Sequence, residues 1–535
     1  MNVQATYAAT LVDEWVRCGV AHAVIAPGSR STPLAVALAA DGRIVVHVHH
    51  DERAAAFMAL GIGKSGGVPA IVLCTSGTAA AELHAAVVEA HQARVPMLVC
   101  TADRPPELQG VGAPQTIDQA HLYGRAVRSF VEPGVADDAS RGTWRSLAAR
   151  AFLDAVGSPP GPVHLNLAFR DPLVGEPGPL PDGCDGGRPW HVDAGAPAPG
   201  VLAPMATGRG LVVAGAGAGA RFDTGWPVLA DPTSGWRVPG AVGAFDALLR
   251  TGAMPKPDAI VRLGDSPASK VLAQWLATLD VPQIVVGEGR ADPERTATAF
   301  YDAVAPFRCA SDDAWLVEWS SAEAAAQRAI DDVLSTKTEL TEPFVARTVA
   351  MHAMTLVVSS SMPVRDVEWY AAPREGLRVL ANRGANGIDG VTSTAVGVAL
   401  ATGAPVTVLI GDIAFLHDTN ALLGLAARDI DITIVVVDNR GGGIFSFLPQ
   451  ATTLASDRFE QLFGTPHDVD IATLAAAHGI PTLRVHEPDG LASALQIASA
   501  APGSHVVLVP TDRQANVAVH DEVHAAVAAA LSSRG

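Results

Sequence analysis

The sequence predicts an α/β protein of three domains, each with a parallel sheet covered by helices. Three observations support this prediction. Short apolar segments alternate with Ala-rich helical segments along the chain, a pattern typical of parallel sheets that are buried on both faces. Two stretches rich in Pro, Gly or polar residues interrupt the alternation. The length of 535 residues is enough for about three domains of ordinary size.

The first domain is predicted over residues 1–180. Its candidate strands are the apolar segments 22–27, 43–48, 70–75, 96–101 and 162–167. A candidate helix, Ala79–His91, lies between two of them. The segment 171–200 is rich in Pro and Gly, which do not fit a helix interior or a central strand, and we expect a linker there.

The middle domain is predicted over residues 200–335 and the third over residues 343–535. Candidate strands of the middle domain are 210–217, 259–265 and 282–289, and those of the third are 355–360, 377–382, 405–412, 432–439 and 505–510. A second linker is expected near 335–343. The first and third domains show a similar, strong alternation, whereas the middle one shows it more weakly.

Composition excludes several classes of protein. With 49% hydrophobic and 17% charged residues, the chain is not of the disordered type. The net charge of −18 argues against a broad nucleic-acid surface but not against small anionic ligands. No signal peptide or long apolar segment is apparent, and Cys74 and Cys100 are expected as reduced core residues. These features favour a cytoplasmic protein.

One carboxylate, Asp412, lies between two apolar segments in VLIGDIAFLHD (408–418). Burying an ionised carboxylate is costly unless a positive or hydrogen-bonding group meets it. Asn439 follows the next strong strand, 27 residues later, and adjacent parallel strands would bring the two residues close together. Two interpretations remain: a helix cap followed by an ordinary glycine turn, or an oxygen-only Mg²⁺ site beside a diphosphate, with Gly441, Gly442 and Gly443 allowing close approach.

Gly411-Asp412 followed by Asn439 and glycines resembles the metal–diphosphate motif of thiamine-diphosphate-dependent enzymes, although Ile413 stands where that motif usually has Gly. Longer segments resemble the MenD family of menaquinone-pathway synthases. These are residues 26–38, 49–66, 74–119, 359–370, 382–399 and 442–450. The resemblance is dense over residues 1–125 and 355–450 and thin over 175–335.

The resemblance implies a pyrimidine-binding first domain, a middle domain and a pyrophosphate-binding third domain. It implies a transferase that decarboxylates 2-oxoglutarate and adds the succinyl unit to isochorismate. It also implies thiamine diphosphate with Mg²⁺, or Mn²⁺, and a homodimer or homotetramer with active sites between subunits. No nucleic-acid partner or transmembrane segment is expected.

Glu52 is the residue that the resemblance assigns to catalysis, as the carboxyl group that shares a proton with the aminopyrimidine ring. The residues around Glu52 are equally consistent with another interpretation, in which Glu52 is a carboxylate in the first turn of a helix, stabilised by the helix dipole. The resemblance places the metal on Asp412, Asn439 and the Gly441 carbonyl. It also implies cofactor contacts from Ser29, Thr75, Ser76, Gly77, Ser360, Ser361, Met362, Ile388, Asp412, Ile413, Ala414, Asn439, Gly443, Ile444 and Phe445.

The two substrates together carry four carboxylates, so a cleft with several fixed arginines is required. The resemblance assigns Arg30, Arg104 and Gln115 to isochorismate, and Ser361, Arg365 and Arg383 to the distal carboxylate derived from 2-oxoglutarate. Lys270 is a further candidate, beside Val271 where the family often has a second basic residue. The alternative for each arginine is a surface ion pair.

Two other functions compete with this interpretation. One is a different thiamine enzyme, such as a simple 2-oxoacid decarboxylase or an acetolactate-type carboligase, which has little use for several arginines. The other is a relative that keeps the fold as a structural or regulatory subunit. The presence of Glu52, Asp412 and Asn439 argues against the second.

Overall fold

The fold contains three parallel sheets. The computed structural model describes residues 2–193, 195, 199–202 and 207–533. The first sheet consists of β1 (His22–Ile25), β2 (Val45–Val48), β3 (Ala70–Cys74), β4 (Met97–Asp103), β5 (Ser129–Val131) and β6 (Pro162–Ala168). The second consists of β7 (Gly210–Ala214), β8 (Val228–Ala230), β9 (Ala259–Leu263), β10 (Gln283–Val286) and β11 (Ala299–Tyr301). The third consists of β12 (Thr355–Val358), β13 (Arg378–Ala381), β14 (Val406–Gly411), β15 (Ile432–Asp438), β16 (Thr482–Arg484) and β17 (Ser504–Pro510).

The first and third sheets have the same strand order. The order is β2-β1-β3-β4-β6-β5 in the first and β13-β12-β14-β15-β17-β16 in the third, so each strand of one has a counterpart in the other. The middle sheet differs, with the order β11-β10-β9-β7-β8. The similar patterns seen in the sequence therefore correspond to one repeated topology.

Helices connect the strands. In the first half of the chain they are α1 (Val3–Arg17), α2 (Thr32–Ala40), α3 (Glu52–Gly66), α4 (Thr78–Glu82), α5 (His84–Gln92), α6 (Trp144–Val156), α7 (Phe245–Arg250) and α8 (Lys270–Ala277). In the second half they are α9 (Asp313–Ser335), α10 (Glu342–His352), α11 (Met362–Tyr370), α12 (Val391–Thr402), α13 (Asp412–His417), α14 (Gln450–Thr453), α15 (Ser456–Phe459), α16 (Ile471–Ala477), α17 (Pro488–Ala500) and α18 (Arg513–Ser532). Among the described residues, none of these helices combines the length and apolar character needed to cross a membrane.

The predicted fold class is confirmed: the chain forms parallel sheets with connecting helices. Every predicted strand is present, with ends that shift by a few residues. Four strands were missed, namely β5, β8, β11 and β16. Each has three residues and lies at the edge of its sheet. A short edge strand is covered on fewer sides than a central one, so it lacks the continuous apolar segment that marks a buried strand.

The helix predicted over Ala79–His91 is two helices, α4 and α5, that meet at Leu83. The described part of the predicted linker 171–200 contains only a three-residue turn, Asp185–Gly187, and an isolated bridge at Gly200. Residues 194 and 196–198 of that linker, with residues 1, 203–206, 534 and 535 of the predicted domains, lie outside the described residues. The domain boundaries themselves stay a prediction.

The chain packs as two compact units. The first unit comprises residues 1–196, 382–404 and 417–430, and the second comprises residues 197–381, 405–416 and 431–535. Within the first unit, α1 and α6 pack on the first sheet, where Trp15 and Trp144 are buried in one apolar cluster. Within the second unit, α10, α11 and α17 supply the apolar cluster around the third sheet.

Buried His164 of β6 makes stability depend on pH. Burial lowers the pKa of His164 to about 3, whereas histidine in an unfolded chain titrates near about 6.5. The unfolded state therefore binds the proton more tightly, and stability is lost as the pH falls from 6.5 towards 3. The parent protein should lose free energy of unfolding as the pH falls, and we expect His164→Gln to reduce this loss by up to about 1.4 kcal/mol per pH unit. Urea unfolding between pH 7.5 and 4.5 measures the difference.

The exposed His352 of α10 provides the matched control. His352→Gln should leave the pH dependence of unfolding as it is in the parent protein. If His164→Gln and the parent lose stability equally between the two pH values, the assignment of this loss to His164 is wrong.

Candidate active site

The candidate residues follow corresponding strands of the first and third sheets. In the first sheet, Ser29 and Arg30 follow β1, Glu52 follows β2, Thr75, Ser76 and Gly77 follow β3, and Arg104 follows β4. In the third sheet, Ser360, Ser361, Met362 and Arg365 follow β12, Arg383 and Ile388 follow β13, Asp412, Ile413 and Ala414 follow β14, and Asn439, Gly441, Gly443, Ile444 and Phe445 follow β15. Ligands of parallel α/β sheets bind outside these carboxyl ends.

Asp412 is deeply buried, with 2% of its surface exposed. Its Oδ1 accepts a hydrogen bond from the backbone N–H of Ile413 at 2.7 Å, and its Oδ2 accepts one from Gly441 at 2.8 Å. Burial nevertheless raises the pKa of Asp412 to about 6. The charged form of this carboxylate is therefore disfavoured unless a cation lies beside it.

The pairing of β14 with β15 places Asn439 at the same edge of the sheet as Asp412. Gly411 of β14 pairs with Val437 of β15, so the residues that follow the two strands are adjacent. Asn439 Nδ2 donates to Glu342 Oε1 at 2.8 Å. Its Oδ1 is buried and has no hydrogen-bond partner in the described part of the chain. A buried amide oxygen of this kind needs a partner, and a metal ion is one that fits.

Gly441 shapes the loop after β15. Its φ of +153° suits glycine, and a Cβ there would collide with the carbonyl oxygen of Gly464. The N–H of Gly442 donates to that same oxygen at 2.8 Å. The carbonyl of Gly441 accepts from Gly443 at 2.9 Å, which leaves its second lone pair available.

Two further groups at this edge escaped the sequence analysis. Asp438 and His467 place ligand atoms within 4.8 Å of one another and of Asp412. His467 Nε2 lies 3.2 Å from Asp412 Oδ2. Asp438 is the last residue of β15, directly before Asn439, and this position was a signal that it belongs to the same edge. His467 lies in a loop 55 residues from Asp412 and carries no local signal.

Ser361 begins the turn from β12 into α11 with a φ of +73°. This conformation is unfavourable for a residue other than glycine and is found preferentially at functional sites. The guanidinium of Arg365 donates to the Ser361 carbonyl. The structure therefore brings together these two residues, both predicted to bind 2-oxoglutarate.

In the first unit, the residues predicted to bind isochorismate also lie together. Arg104 Nη1 donates to Ser76 Oγ at 2.6 Å, and Gln115 Nε2 donates to the Ser76 carbonyl at 3.1 Å. Burial, and next the charge of Arg30, lower the pKa of Arg104. Arg30 is itself buried, and its Nη1 donates to the Phe169 carbonyl at 2.9 Å. Two cations are thus held near each other at one edge of the sheet.

Glu52 is the first residue of α3, after the cap Asp51, whose side chain accepts from Ala54. This is the first-turn position expected from the sequence. Burial, and then the Glu52 carboxylate, raise the pKa of the Cys74 thiol at the end of β3. The carboxylate therefore lies close to the β3 end, where Thr75, Ser76 and Gly77 follow.

The loop that carries Arg383 and Ile388 belongs to the first unit. Arg383 Nε donates to Asn386 Oδ1 at 3.2 Å. Glu89 of α5 accepts from the N–H groups of Gly384 and Ala385, at 2.9 and 2.6 Å. This buried carboxylate fixes the loop and was not predicted.

Lys270 is the first residue of α8 and is exposed. It follows β9 of the middle sheet, and the structure of the second unit places Ser269, its neighbour, as the helix cap. The roles predicted for Lys270 and for the other candidate residues stay predictions.

Comparison with known proteins identifies the class of protein. Residues 5–122 match the N-terminal thiamine pyrophosphate (TPP)-binding domain of thiamine pyrophosphate enzymes, and residues 366–509 match the C-terminal TPP-binding domain. The chain therefore contains the two halves of a thiamine-dependent enzyme, in agreement with the duplicated sheet topology.

Relatives specify the member of that class. The chain is 45% identical to the 2-succinyl-5-enolpyruvyl-6-hydroxy-3-cyclohexene-1-carboxylate (SEPHCHC) synthase of Thermobifida fusca, over 99% of this chain and 100% of the relative. It is 41% identical to the synthase of Halobacterium salinarum, over 96% and 97%, and 40% identical to that of Chloroflexus aurantiacus, over 97% and 95%. The chain belongs to the SEPHCHC synthase family, and the family and enzyme type predicted from the sequence are confirmed.

Proposed function

We propose that this chain decarboxylates 2-oxoglutarate and transfers the remaining four-carbon unit to isochorismate, giving SEPHCHC and CO₂ in menaquinone biosynthesis. The observation that carries the proposal is the placement of buried Asp412 at the same sheet edge as Asn439, whose Oδ1 has no hydrogen-bond partner among the described residues. A thiamine enzyme holds its diphosphate at such strand ends. Bound thiamine diphosphate supplies the electron sink for decarboxylation. A cytoplasmic location is part of the proposal.

We propose that Mg²⁺, or Mn²⁺, is held by Asp412, Asn439 and the Gly441 carbonyl. Diphosphate oxygens would complete the coordination shell of the ion. Support comes from the donor set, since Mg²⁺ prefers one or two carboxylates, neutral oxygens and phosphate. The alternative set of Asp412, Asp438 and His467 includes an imidazole, which suits transition metals better. The glycine-lined loop after β15 allows the diphosphate to approach the backbone.

Glu52 is proposed to share a proton with the aminopyrimidine ring of a cofactor bound by a second copy of the chain. A homodimer is the minimum assembly for this role, and a homotetramer satisfies it equally. Support comes from the position of Glu52 at the β2 end, beside the buried end of β3.

The substrates are proposed to bind through two groups of cations. Arg30, Arg104 and Gln115 would hold the isochorismate carboxylates, with a further contribution from Lys270. Arg365, Arg383 and Ser361 would hold the distal carboxylate of 2-oxoglutarate. Charge-assisted, two-point hydrogen bonds from arginine orient a carboxylate as well as bind it, which aligns the two reactants for carbon–carbon bond formation.

Labelled CO₂ release separates this function from that of a simple 2-oxoacid decarboxylase or an acetolactate-type carboligase. We expect carboxyl-labelled 2-oxoglutarate to lose CO₂ with formation of SEPHCHC when isochorismate is present, because Arg365 and Arg383 are proposed to bind the second carboxylate of 2-oxoglutarate. Pyruvate has no second carboxylate and should react poorly. Rapid CO₂ release from pyruvate would contradict the proposal, and no turnover with either acid would favour a non-enzymatic relative.

Glu52→Gln should lower kcat by roughly a hundred- to ten-thousandfold, the usual contribution of general acid–base catalysis. The amide has nearly the same shape but cannot share a proton with the pyrimidine. Steady-state kinetics with saturating cofactor and Mg²⁺ measures the effect. Glu82→Gln, at an exposed position of α4, is the matched control. Full activity of the Glu52 variant would show that the catalytic assignment is wrong.

The two groups of arginines predict a split in KM. Arg104→Met should raise KM for isochorismate roughly ten- to hundredfold, the value of a hydrogen bond to a charged group, and leave KM for 2-oxoglutarate nearly unchanged. Arg365→Met should do the reverse. Initial rates with each substrate varied in turn measure both constants.

The control for this pair is Arg150→Met, which removes an exposed arginine of α6 and should change neither KM. Equal effects of Arg104→Met on both KM values would contradict the assignment of Arg104 to one substrate.

A further inference from the structure

The carboxamide of Asn439 is held at its nitrogen end. Glu342, the first residue of α10, is 4% exposed, and its Oε1 accepts from Asn439 Nδ2 at 2.8 Å. The same oxygen lies 3.4 Å from the hydroxyl of Thr511. At the other end of the carboxamide, Asn439 Oδ1 is buried and makes no hydrogen bond to the described residues.

The two ends of a carboxamide have nearly the same shape but opposite hydrogen-bonding character, and only the oxygen binds a metal ion. A carboxylate accepts hydrogen bonds and does not donate them. Turning the Asn439 amide over would place its oxygen against Glu342 Oε1, with two acceptors facing each other. Glu342 thereby selects the orientation in which the nitrogen is bound and the oxygen remains available.

The close approach of Gly443 also limits the positions that the Asn439 carboxamide can take. A Cβ at Gly443 would collide with Asn439 Nδ2, so the loop passes close to the nitrogen side and leaves little room there. Both Glu342 and Asn439 lie in the second unit. The selection applies to the ionised carboxylate, since a protonated carboxyl group also donates and can pair with either end of a carboxamide.

We propose that Glu342 is a positioning residue for the metal site: it orients the Asn439 carboxamide so that Oδ1 is presented to the metal ion. This inference rests on the proposed function, because it takes Asn439 as a metal ligand. Partners that orient metal ligands typically contribute ten- to a hundredfold in metal affinity. Glu342 should act through Asn439 without touching substrate.

The direct test measures Mn²⁺ affinity of the full-length protein with thiamine diphosphate, using electron paramagnetic resonance of the free ion. Glu342→Met removes the acceptor at similar volume and should weaken Mn²⁺ binding roughly ten- to hundredfold. Glu342→Gln keeps an accepting oxygen and should recover most of that loss. Glu339→Met, at an exposed position just before α10, is the matched control and should bind Mn²⁺ as the parent does.

If Glu342→Met does not fold, a second pair of variants, in which the acceptor and donor of this hydrogen bond are exchanged, tests the proposal. Asn439→Asp sets two carboxylates against each other and should weaken Mn²⁺ binding. Adding Glu342→Gln supplies an amide N–H to the new aspartate, so the double variant should regain at least tenfold of the lost affinity. Failure of the second substitution to improve Mn²⁺ binding would overturn the inference.

Asp412→Asn separates the inference from the proposed site. If Asp412→Asn leaves Mn²⁺ affinity unchanged, the proposed metal site itself is wrong. If Asp412→Asn weakens binding but Glu342→Met does not, the site stands and the positioning role is wrong. A Glu342→Met protein that melts at a lower temperature without cofactor, yet binds Mn²⁺ normally, would show a purely structural role and would also overturn the inference.

Discussion

The burial of one carboxylate, Asp412, shapes the loops around the third sheet. Two backbone N–H groups meet it, but its pKa is still raised to about 6 by burial. For the N–H of Gly441 to reach that carboxylate, the chain after β15 turns through a φ of +153° and passes against Gly464, where a Cβ would not fit. The glycines after Asn439 are thus required by a contact to the neighbouring strand as much as by any ligand.

The repeated strand order brings different charged groups together at equivalent ends of the first and third sheets. After β3 and β4, the first sheet carries hydroxyl groups and Arg104, whose pKa is lowered by burial and by Arg30. After β14, the third sheet carries Asp412, which lies near Asp438 at the end of β15. The equivalent strand β4 also ends in an aspartate, Asp103, and the charges of Asp103 and Asp171 act on Arg104. One topology thus carries the groups that we propose for substrate carboxylates in one copy and for a metal ion in the other.

Local pattern was sufficient to predict every strand except the four short edge strands, and it placed Asp412 and Asn439 at one edge of the sheet, because parallel neighbours end at the same edge. It was not sufficient for groups whose partners are distant along the chain. Glu342 falls within the predicted linker 335–343, yet it contacts Asn439, 97 residues away. Glu89 reads as an ordinary helical residue, although it accepts hydrogen bonds from a loop 295 residues away. Such contacts depend on tertiary packing, which a single sequence does not encode in any short motif.

These distant contacts share one physical purpose. Loops beyond strand ends lose the regular hydrogen bonds of the sheet, and their N–H groups must still be satisfied where they are buried. Glu89 binds the N–H groups of the two residues just after Arg383, and Glu368 of α11 binds those of Ala268 and Ser269, just before Lys270. Asp418 likewise binds the N–H and hydroxyl of Ser393. A carboxylate accepts several hydrogen bonds at once, so each one offsets part of its own burial cost while it fixes a loop. An apolar side chain of the same size would leave those N–H groups unpaired, and at Glu89 the loop that carries Arg383 would lose its fixed geometry.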